Sequence, residues 1–248
     1  MKKINWKLLV TILIVAVLLL VSVFVVWASD ASQPTDTALQ ALNSDSQVDA
    51  KAENGWVAFY PADNLHPDTG FIFYPGGKVD YRAYAPVLKL IAEQGYFVVV
   101  VPAPLNLAFF DVNAAARVEA VYPEITNWFV GGHSLGGVAA ASYAASHSEI
   151  RGVVFWASYP ADDSLKKQNM PVVSIYGTLD GLATEENQNS KKELMPENTQ
   201  YVVIEGGNHA QFGSYGKQAG DNDASISAEE QWAQVAAGTV AFFNSIIR

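Results

Sequence analysis

From residue 55 onward, short apolar runs alternate with stretches that have helical spacing. The runs are rich in β-branched and aromatic residues and are bounded by glycine or proline, as strands commonly are. They lie at 55–62, 70–77, 96–104, 126–132, 151–158, 171–177 and 199–206. The run that begins at Tyr96, YFVVVVPAP, is apolar without alternation, which is typical of a parallel strand buried on both faces. The pattern predicts an α/β fold in which helices cover both faces of a mostly parallel sheet.

The stretches between the strands predict the helices of this domain. They lie at 81–95, 106–124, 135–147, 184–195 and 227–247. Ser227 and Glu230 have the spacing of a capping box at the start of the last helix. Phe109 and Phe110 are expected to pack in the core, with a place in an acyl pocket as the alternative. Only 12 residues separate the strands at 151–158 and 171–177, so we expect no lid domain there.

The N-terminus carries an apolar run long enough to cross a membrane. Residues 8–27 contain no charge, and a helix of that length spans a hydrocarbon core of about 30 Å. Lys2, Lys3 and Lys7 precede the run, so the positive-inside rule places the rest of the chain outside the cytoplasm. We therefore predict a single-pass signal anchor in the cell membrane. Because Ala28 offers a cleavage site, secretion after cleavage is the alternative.

The chain divides into three predicted parts. Residues 1–28 form the anchor, the polar residues 29–54 form a flexible stalk, and residues 55–248 form the α/β domain. All 25 acidic residues but only 12 of the 15 basic ones follow residue 27, which gives the exported part a net charge of −13. Such a charge argues against nucleic-acid binding and favours a monomer.

Metal and cofactor sites are not predicted by this sequence. The chain has no cysteine and only four scattered histidines, so no metal-ligand spacing is present. The glycine patterns of dinucleotide-binding and phosphate-binding loops are also missing. We therefore expect neither a metal nor a cofactor.

A turn that could present a nucleophile follows the strand at 126–132. Gly132-His133-Ser134-Leu135-Gly136 fits G-x-S-x-G at a junction of strand and helix. A serine on so sharp a turn needs neighbours without side chains, which Gly132 and Gly136 supply. The simpler alternative is a glycine-rich turn that binds a phosphate at the helix N-terminus.

A nucleophilic serine needs a base, and His209 is the strongest candidate. A histidine takes the proton of the hydroxyl in such sites. His209 follows the strand at 199–206, and the C-terminal ends of parallel strands share one edge of a sheet. His66 precedes the nucleophile in a loop, and His133 is held beside Ser134. His147 lies about 20 Å along the helix from the serine.

Asp180 is the candidate for the acid that orients the base. It follows the strand at 171–177 and should reach the same edge as Ser134 and His209. The chain order Ser, Asp, His is that of α/β-type serine hydrolases. Asp162 and Asp163, after the preceding strand, are the competitors for this role.

An oxyanion formed during acyl transfer requires backbone N–H donors. The first expected donor is Leu135, the residue after the nucleophile. The second is expected in the loop after the strand at 70–77, with Gly77 favoured and Lys78 next. A plain glycine turn is the alternative for this loop.

The combined motifs resemble the α/β-hydrolase family, and specifically its compact dienelactone-hydrolase-like bacterial members. The resemblance covers most of residues 55–248. It is carried by YPGGKVD, VVVVPAPLNLAFFD, YPEITNWFVGGHSLGGVAAA, IYGTLDGLAT and IEGGNHAQFGSYG. It implies a catalytic triad and two oxyanion donors, which are Ser134, Asp180 and His209 with Leu135 and Gly77. Tyr74-Pro75 stands where many lipases and esterases have His-Gly, so their substrate preference does not carry over.

These observations predict an extracytoplasmic serine hydrolase with a small-molecule acyl substrate. It would cleave a carboxylic ester or a related acyl bond through an acyl-enzyme on Ser134, while residues 8–27 sit in the lipid bilayer. A peptidase or an acyltransferase could use the same residues. A non-catalytic surface protein that binds through the same fold is the alternative from another class.

Overall fold

The computed structural model describes residues 6–63 and 65–247. Over these residues, eight strands form one sheet in the order β1-β2-β4-β3-β5-β6-β7-β8. The strands are β1 (Val48–Glu53), β2 (Trp56–Pro61), β3 (His66–Tyr74), β4 (Tyr96–Val100), β5 (Asn127–His133), β6 (Gly152–Trp156), β7 (Val172–Gly177) and β8 (Gln200–Ile204). β2 runs antiparallel to both of its neighbours, and every other pairing is parallel. The predicted mostly parallel sheet is confirmed.

The described chain contains eight α-helices, of which the third to the seventh connect parallel strands. They are α1 (Trp6–Ser29), α2 (Asp36–Ala41), α3 (Ala85–Ala92), α4 (Ala114–Val121), α5 (Leu135–Ala144), α6 (Ser164–Lys167), α7 (Glu185–Ser190) and α8 (Ala228–Ile246). The Ser227 side chain accepts from the Glu230 N–H while the Glu230 carboxylate accepts from the Ser227 N–H, so the capping box is present. Between β6 and β7 the described chain contains one short helix, α6, and no inserted domain.

The core lies in two layers, one on each face of the sheet. Side chains alternate along β3, as they must in any strand, so its residues contribute to both layers. Phe71 and Phe73 pack in the layer formed with α3 and α8. Ile72 and Tyr74 pack in the opposite layer with α4 and α5. The α/β-hydrolase architecture expected from the sequence is therefore present.

Residues 29–54, which we expected to form a flexible stalk, instead fold onto the domain. Over residues 48–53 the chain forms β1, which pairs with β2 along its whole length. Asn54 and Gly55 join these strands with φ of 50° and 88°. Two positive φ values in a two-residue loop are typical of a tight hairpin turn, which Asn-Gly favours. The stalk prediction is wrong because β1 is held in the sheet by its hydrogen bonds with β2.

The N-terminal helix α1 contains the apolar run. It has 24 residues and is the one helix in the described chain long and apolar enough to cross a membrane. Its apolar stretch is not buried against the domain, although Ala28 near its end is. Lys2 and Lys3, on which the predicted orientation depends, lie outside the described residues.

Phe109 and Phe110 are not core residues, contrary to our expectation. They lie on a 3-10 turn, Ala108–Asp111, that precedes α4, and each is about half exposed (50% and 49%). The predicted long helix at 106–124 is therefore divided. Its second half contains α4, which packs in the core through Ala114, Ala115 and Val118, and of the 3-10 turn only Ala108 is buried in that layer.

Candidate active site

Ser134 lies on a sharp turn at the C-terminal end of β5. Its φ of 50° and ψ of −121° are far from those of strand or helix, a strained combination of the kind that clusters at functional sites. Two contacts with β6 and the residues after it hold the turn. The Ser134 N–H donates to the Trp156 carbonyl (2.9 Å), and Ser158 Oγ donates to the Ser134 carbonyl (2.6 Å). The side chain of Ser134 is left partly exposed at the edge of the sheet.

The two glycines of the motif allow this turn to close. A Cβ on Gly132 would lie 2.4 Å from the Gly136 carbonyl carbon, and a Cβ on Gly136 would lie 2.2 Å from the Tyr74 carbonyl oxygen. Neither contact is possible for a real side chain. The first glycine therefore lets α5 start directly above β5, and the second lets α5 approach the end of β3.

His209 and Asp180 form a buried pair beside this turn. His209 Nδ1 lies 2.8 Å from Asp180 Oδ2, and both side chains are almost fully shielded from solvent. The other carboxylate oxygen, Oδ1, accepts from the N–H groups of Leu182 (2.8 Å) and Ala183 (2.6 Å). Since an ionised carboxylate only accepts hydrogen bonds, this arrangement directs the His209 proton to Nδ1 and leaves Nε2 as a free base.

The competing acids and two of the other histidines lie elsewhere. His66 stacks on the Tyr96 ring at the start of β3, and His147 stacks on the Tyr143 ring after α5. Asp162 accepts from the Ser164 N–H, and Asp163 forms an exposed ion pair with Lys167. Neither aspartate contacts His209.

His133 is fully buried behind the pair. Its Nδ1 lies 2.9 Å from the Tyr84 hydroxyl, and this hydroxyl already accepts from the Gly76 N–H (3.0 Å). The hydroxyl proton is thus available for Nδ1 of a neutral imidazole. Burial, reinforced by the nearby His209, lowers the pKa of His133 well below its ordinary value. A neutral His133 therefore links the turn at Ser134 to the loop at Gly76.

The loop after β3 contains one backbone N–H near Ser134 that has no hydrogen-bond partner among the described residues. The Gly76 N–H donates to Tyr84, and the Lys78 N–H donates to the Asn106 carbonyl (2.8 Å). In the part of the chain that the structure describes, the Gly77 N–H has no hydrogen-bond partner, and neither has that of Leu135. A Cβ on Gly77 would lie 3.1 Å from Leu135 Cδ2, so the two residues are adjacent. The geometry thus favours Gly77 over Lys78 as the second donor.

Ser134 and His209 line one cavity of about 260 Å³. Its other walls come from α5 and from the segments that follow β6, β7 and β8. They are Leu135, Val138, Ala157, Ser158, Tyr159, Leu182, Ala183 and Gln218. The cavity can hold a small acyl group and the atoms next to it, with the hydroxyl and the imidazole on its wall.

Asp221 joins the two loops that carry Asp180 and His209, and sequence reasoning missed it. Its Oδ1 accepts from the Gly181 N–H (2.9 Å), and its Oδ2 accepts from the Ala210 N–H (2.8 Å). These donors directly follow the members of the buried pair. Nothing in the sequence near Asp221 indicates this contact, because it depends on groups 40 and 11 residues away.

Gln231 of α8 also holds the His209 loop. Its side chain is fully buried and exchanges two hydrogen bonds with the backbone of Asn208. The Asn208 N–H donates to Gln231 Oε1 (3.0 Å), and Gln231 Nε2 donates to the Asn208 carbonyl (2.8 Å). The segment next to His209 is thus held by the last helix of the domain.

Acidic and histidine side chains do not gather elsewhere into a metal-binding group. Within residues 6–63 and 65–247, no three of them lie close enough together to hold an ion. The expectation of no metal and no cofactor remains a prediction.

Comparisons with known proteins agree with the observed fold. Residues 70–233 match the profile of the alpha/beta hydrolase family. Est1E from Butyrivibrio proteoclasticus is 16% identical, with a TM-score of 0.58 over 80% of this chain and 100% of its own. An esterase domain from a Rhodothermus marinus protein is 16% identical, with a TM-score of 0.57 over 79% of this chain and 98% of its own. TT1662 from Thermus thermophilus is 15% identical, with a TM-score of 0.56 over 80% of this chain and 98% of its own. No curated protein matches the sequence significantly.

Proposed function

Because the chain belongs to the alpha/beta hydrolase family, we propose that it is a serine hydrolase that forms an acyl-enzyme on Ser134. The observation that carries the proposal is the buried His209–Asp180 pair, whose imidazole shares a cavity with Ser134. A non-catalytic binding protein has no need for a charge-oriented imidazole beside a strained serine.

In the proposed acylation step, the serine, the histidine, the aspartate and the two N–H donors each have one role. Ser134 Oγ attacks the acyl carbon of the substrate while His209 Nε2 takes the hydroxyl proton. Asp180 stabilises the imidazolium through Nδ1. The carbonyl oxygen becomes an oxyanion, which the N–H groups of Leu135 and Gly77 bind. The tetrahedral intermediate collapses, the alcohol leaves with the proton from His209, and the acyl group stays on Ser134.

Deacylation repeats these steps with water as the nucleophile. His209 takes a proton from water, the hydroxide attacks the acyl carbon, and the proton returns to Ser134 Oγ as the carboxylic acid leaves. A carboxylic ester is the favoured substrate class, because two of the structurally similar proteins are described as esterases or bear an esterase name. We propose that the enzyme acts as a monomer on a small acyl compound.

The domain is proposed to work outside the cytoplasm, held to the cell membrane by α1. A helix of 24 residues extends over about 36 Å, enough to span the hydrocarbon core. Three lysines precede the uncharged run at residues 8–27 and none of the 25 acidic residues does, which favours a cytoplasmic N-terminus.

Turnover of a panel of esters, thioesters and amides tests the proposed function. The purified full chain should hydrolyse at least one class, and the esters fastest. Ser134→Ala should lower kcat by about 10⁴-fold or more while circular dichroism stays unchanged. Activity of the variant close to that of the wild type would remove Ser134 from the mechanism.

A further inference from the structure

The end of α1 is attached to the loops that follow β3 and β4. Asn106 Nδ2 donates to the carbonyl of Ala28, a fully buried residue near the end of the helix (3.2 Å). Just beyond, the Ser32 N–H donates to the Lys78 carbonyl (2.8 Å), and the Asp80 N–H donates to the Ser32 carbonyl (3.0 Å). The chain that leaves the apolar helix is therefore paired with the loop that contains Gly77.

Four aromatic side chains gather where α1 meets the domain, and we call them the aromatic patch: Phe24, Trp27, Phe109 and Phe110. The Phe109 and Phe110 rings lie 4.5 Å apart, and Phe110 meets the edge of Phe24 at 6.1 Å. All four side chains are between one third and two thirds exposed. The patch is continuous with the apolar surface of α1, so it extends that surface onto the domain.

The position of the patch along α1 sets its depth. Phe24 precedes Ala28 by four residues, which is about 6 Å along a helix. If α1 spans a bilayer, Phe110 lies at the depth where the headgroups meet the acyl chains, which is where aromatic side chains concentrate in membrane proteins. Lys78 Nζ lies 4.7 Å above the Trp27 ring, as expected of a cation at the rim of that layer.

The nucleophile is close behind this surface. Gly77, next to Lys78, is packed against Leu135, and its missing Cβ would lie 3.7 Å from Leu107 Cδ2 on the loop that leads to Phe109. A second cavity, of about 450 Å³, is lined by Asp30, Ser32 and Lys78. Gln218 lines both this cavity and the Ser134 cavity. The cavity at the base of α1 and the Ser134 cavity are therefore neighbours that meet at Gln218.

We propose that the aromatic patch rests in the outer interfacial layer of the membrane and that the Ser134 cavity takes acyl esters of membrane lipids directly from this leaflet. The inference rests on the proposed function and specifies its substrate. Lipid acyl esters lie at the boundary of headgroups and hydrocarbon, at the depth of the patch. The polar cavity beside Ser32 and Lys78 suits a headgroup, whereas the acyl chain can remain in the bilayer.

Site-specific labels test the membrane contact without any need for activity. Because the chain has no cysteine, Phe110→Cys in the full-length protein provides a single site for an environment-sensitive fluorophore. Val121→Cys is the matched control, since Val121 is 44% exposed at the end of α4, which leads to the opposite edge of the sheet.

In phosphatidylcholine vesicles, the label at position 110 should be quenched by nitroxide-labelled lipids and shielded from iodide. The label at position 121 should show the reverse. Equal access of iodide to both labels would overturn the membrane contact. A label at position 109 repeats the test at the neighbouring ring, in case the substitution of Phe110 affects folding.

Substrate choice is tested by comparing two esters. We compare the rate on monooleoylglycerol in vesicles with the rate on soluble p-nitrophenyl acetate. The ratio of the first rate to the second should fall about tenfold or more in Phe109→Ser/Phe110→Ser, because the variant lacks the two rings that would be buried in the membrane. The ratio for Val121→Ser should stay within about twofold of the wild type. An unchanged ratio in the double variant would refute lipid uptake through the patch and leave the hydrolase intact. A wild-type protein inert on both esters would refute the proposed function and lipid hydrolysis together, and the labels would still decide the membrane contact.

Discussion

Ser134 and His133 are neighbours in the chain, yet their side chains occupy opposite environments. Ser134 opens to the cavity, whereas His133 is fully buried beneath it. The sharp turn separates them, and this turn depends on the glycines on either side. At the scale of single residues, the site therefore consists of the partly exposed Ser134 hydroxyl and the buried polar side chains around it. His209 and Asp180 are the buried groups that we expect to take part in the chemistry.

Asp180→Asn should lower kcat by about 10³- to 10⁴-fold, because an amide can hold the wrong tautomer of His209. Asp163→Asn is the matched control, since Asp163 contacts Lys167 on the surface, and its kcat should change by no more than about twofold. Steady-state kinetics on the best ester of the panel measures both values. The reverse pattern would transfer the role of the acid to Asp163.

His133 should make the protein less stable in acid. Burial lowers its pKa, so the folded state keeps the ring neutral while the unfolded chain binds a proton below about pH 6.5. Acid thus favours unfolding, and this group contributes up to about 1.4 kcal/mol of lost stability per pH unit below that value.

Urea unfolding of the wild type and of His133→Asn between pH 7.5 and 5 measures this contribution. The Asn variant removes the titrating ring and keeps a polar atom near the Tyr84 hydroxyl. The free energy of unfolding should fall more steeply with acid in the wild type. Parallel curves for the two proteins would show that His133 is not held neutral.

At the scale of elements, the site is an assembly of strand ends. β5, β7 and β8 lead to Ser134, Asp180 and His209, and β3 leads to the loop at Gly77. The parallel order of these strands brings their C-terminal ends to one edge. Single contacts between the loops help to determine the geometry, and Asp221 is the clearest example.

Asp221→Asn should lower kcat by about 10- to 100-fold, because one of the two backbone N–H groups loses its acceptor and the base moves relative to Ser134. KM should change much less, since Asp221 does not line the cavity. Asp223→Asn is the matched control, because Asp223 pairs with Lys217 on the surface. Comparable kcat losses in the two variants would contradict a positioning role for Asp221.

The parallel strands could be predicted from the sequence, because short β-branched runs bounded by glycine or proline, such as that in β4, are typical of strands. Asp180 and His209 could be selected as candidates because each lies in the loop after a predicted strand. β1 escaped detection because only Val48 of its residues is buried and its stability comes from pairing with β2. Its one local signal was the Asn54-Gly55 turn, at the very point where the domain boundary had been placed. Asp221 gave no local signal, because its partners are distant in the chain.

At the scale of the whole molecule, an acidic domain is joined to an apolar helix without a long linker. Residues 28–248 carry a net charge of −13, which opposes association between copies. Only Asp30 to Thr35 separate α1 from α2, and part of this segment pairs with the loop after β3. The domain is thus held close to the base of α1.

A fragment of residues 30–248 should be soluble and monomeric, whereas a fragment of residues 55–248 should associate. The shorter fragment loses β1 and exposes the edge of β2, and an exposed strand edge pairs with other chains. Size-exclusion chromatography with light scattering distinguishes the two outcomes. A monomeric, fully folded 55–248 fragment would show that β1 does not protect this edge.

Labelling by a fluorophosphonate probe, followed by peptide mapping, tests the central claim most directly. Only a serine activated by a neighbouring base reacts readily with this reagent, so it separates an enzyme from a binding protein. The account predicts one adduct, on Ser134, that is lost in Ser134→Ala and strongly reduced in His209→Ala. No adduct on the folded wild-type protein, or an adduct on another serine that persists in Ser134→Ala, would contradict it.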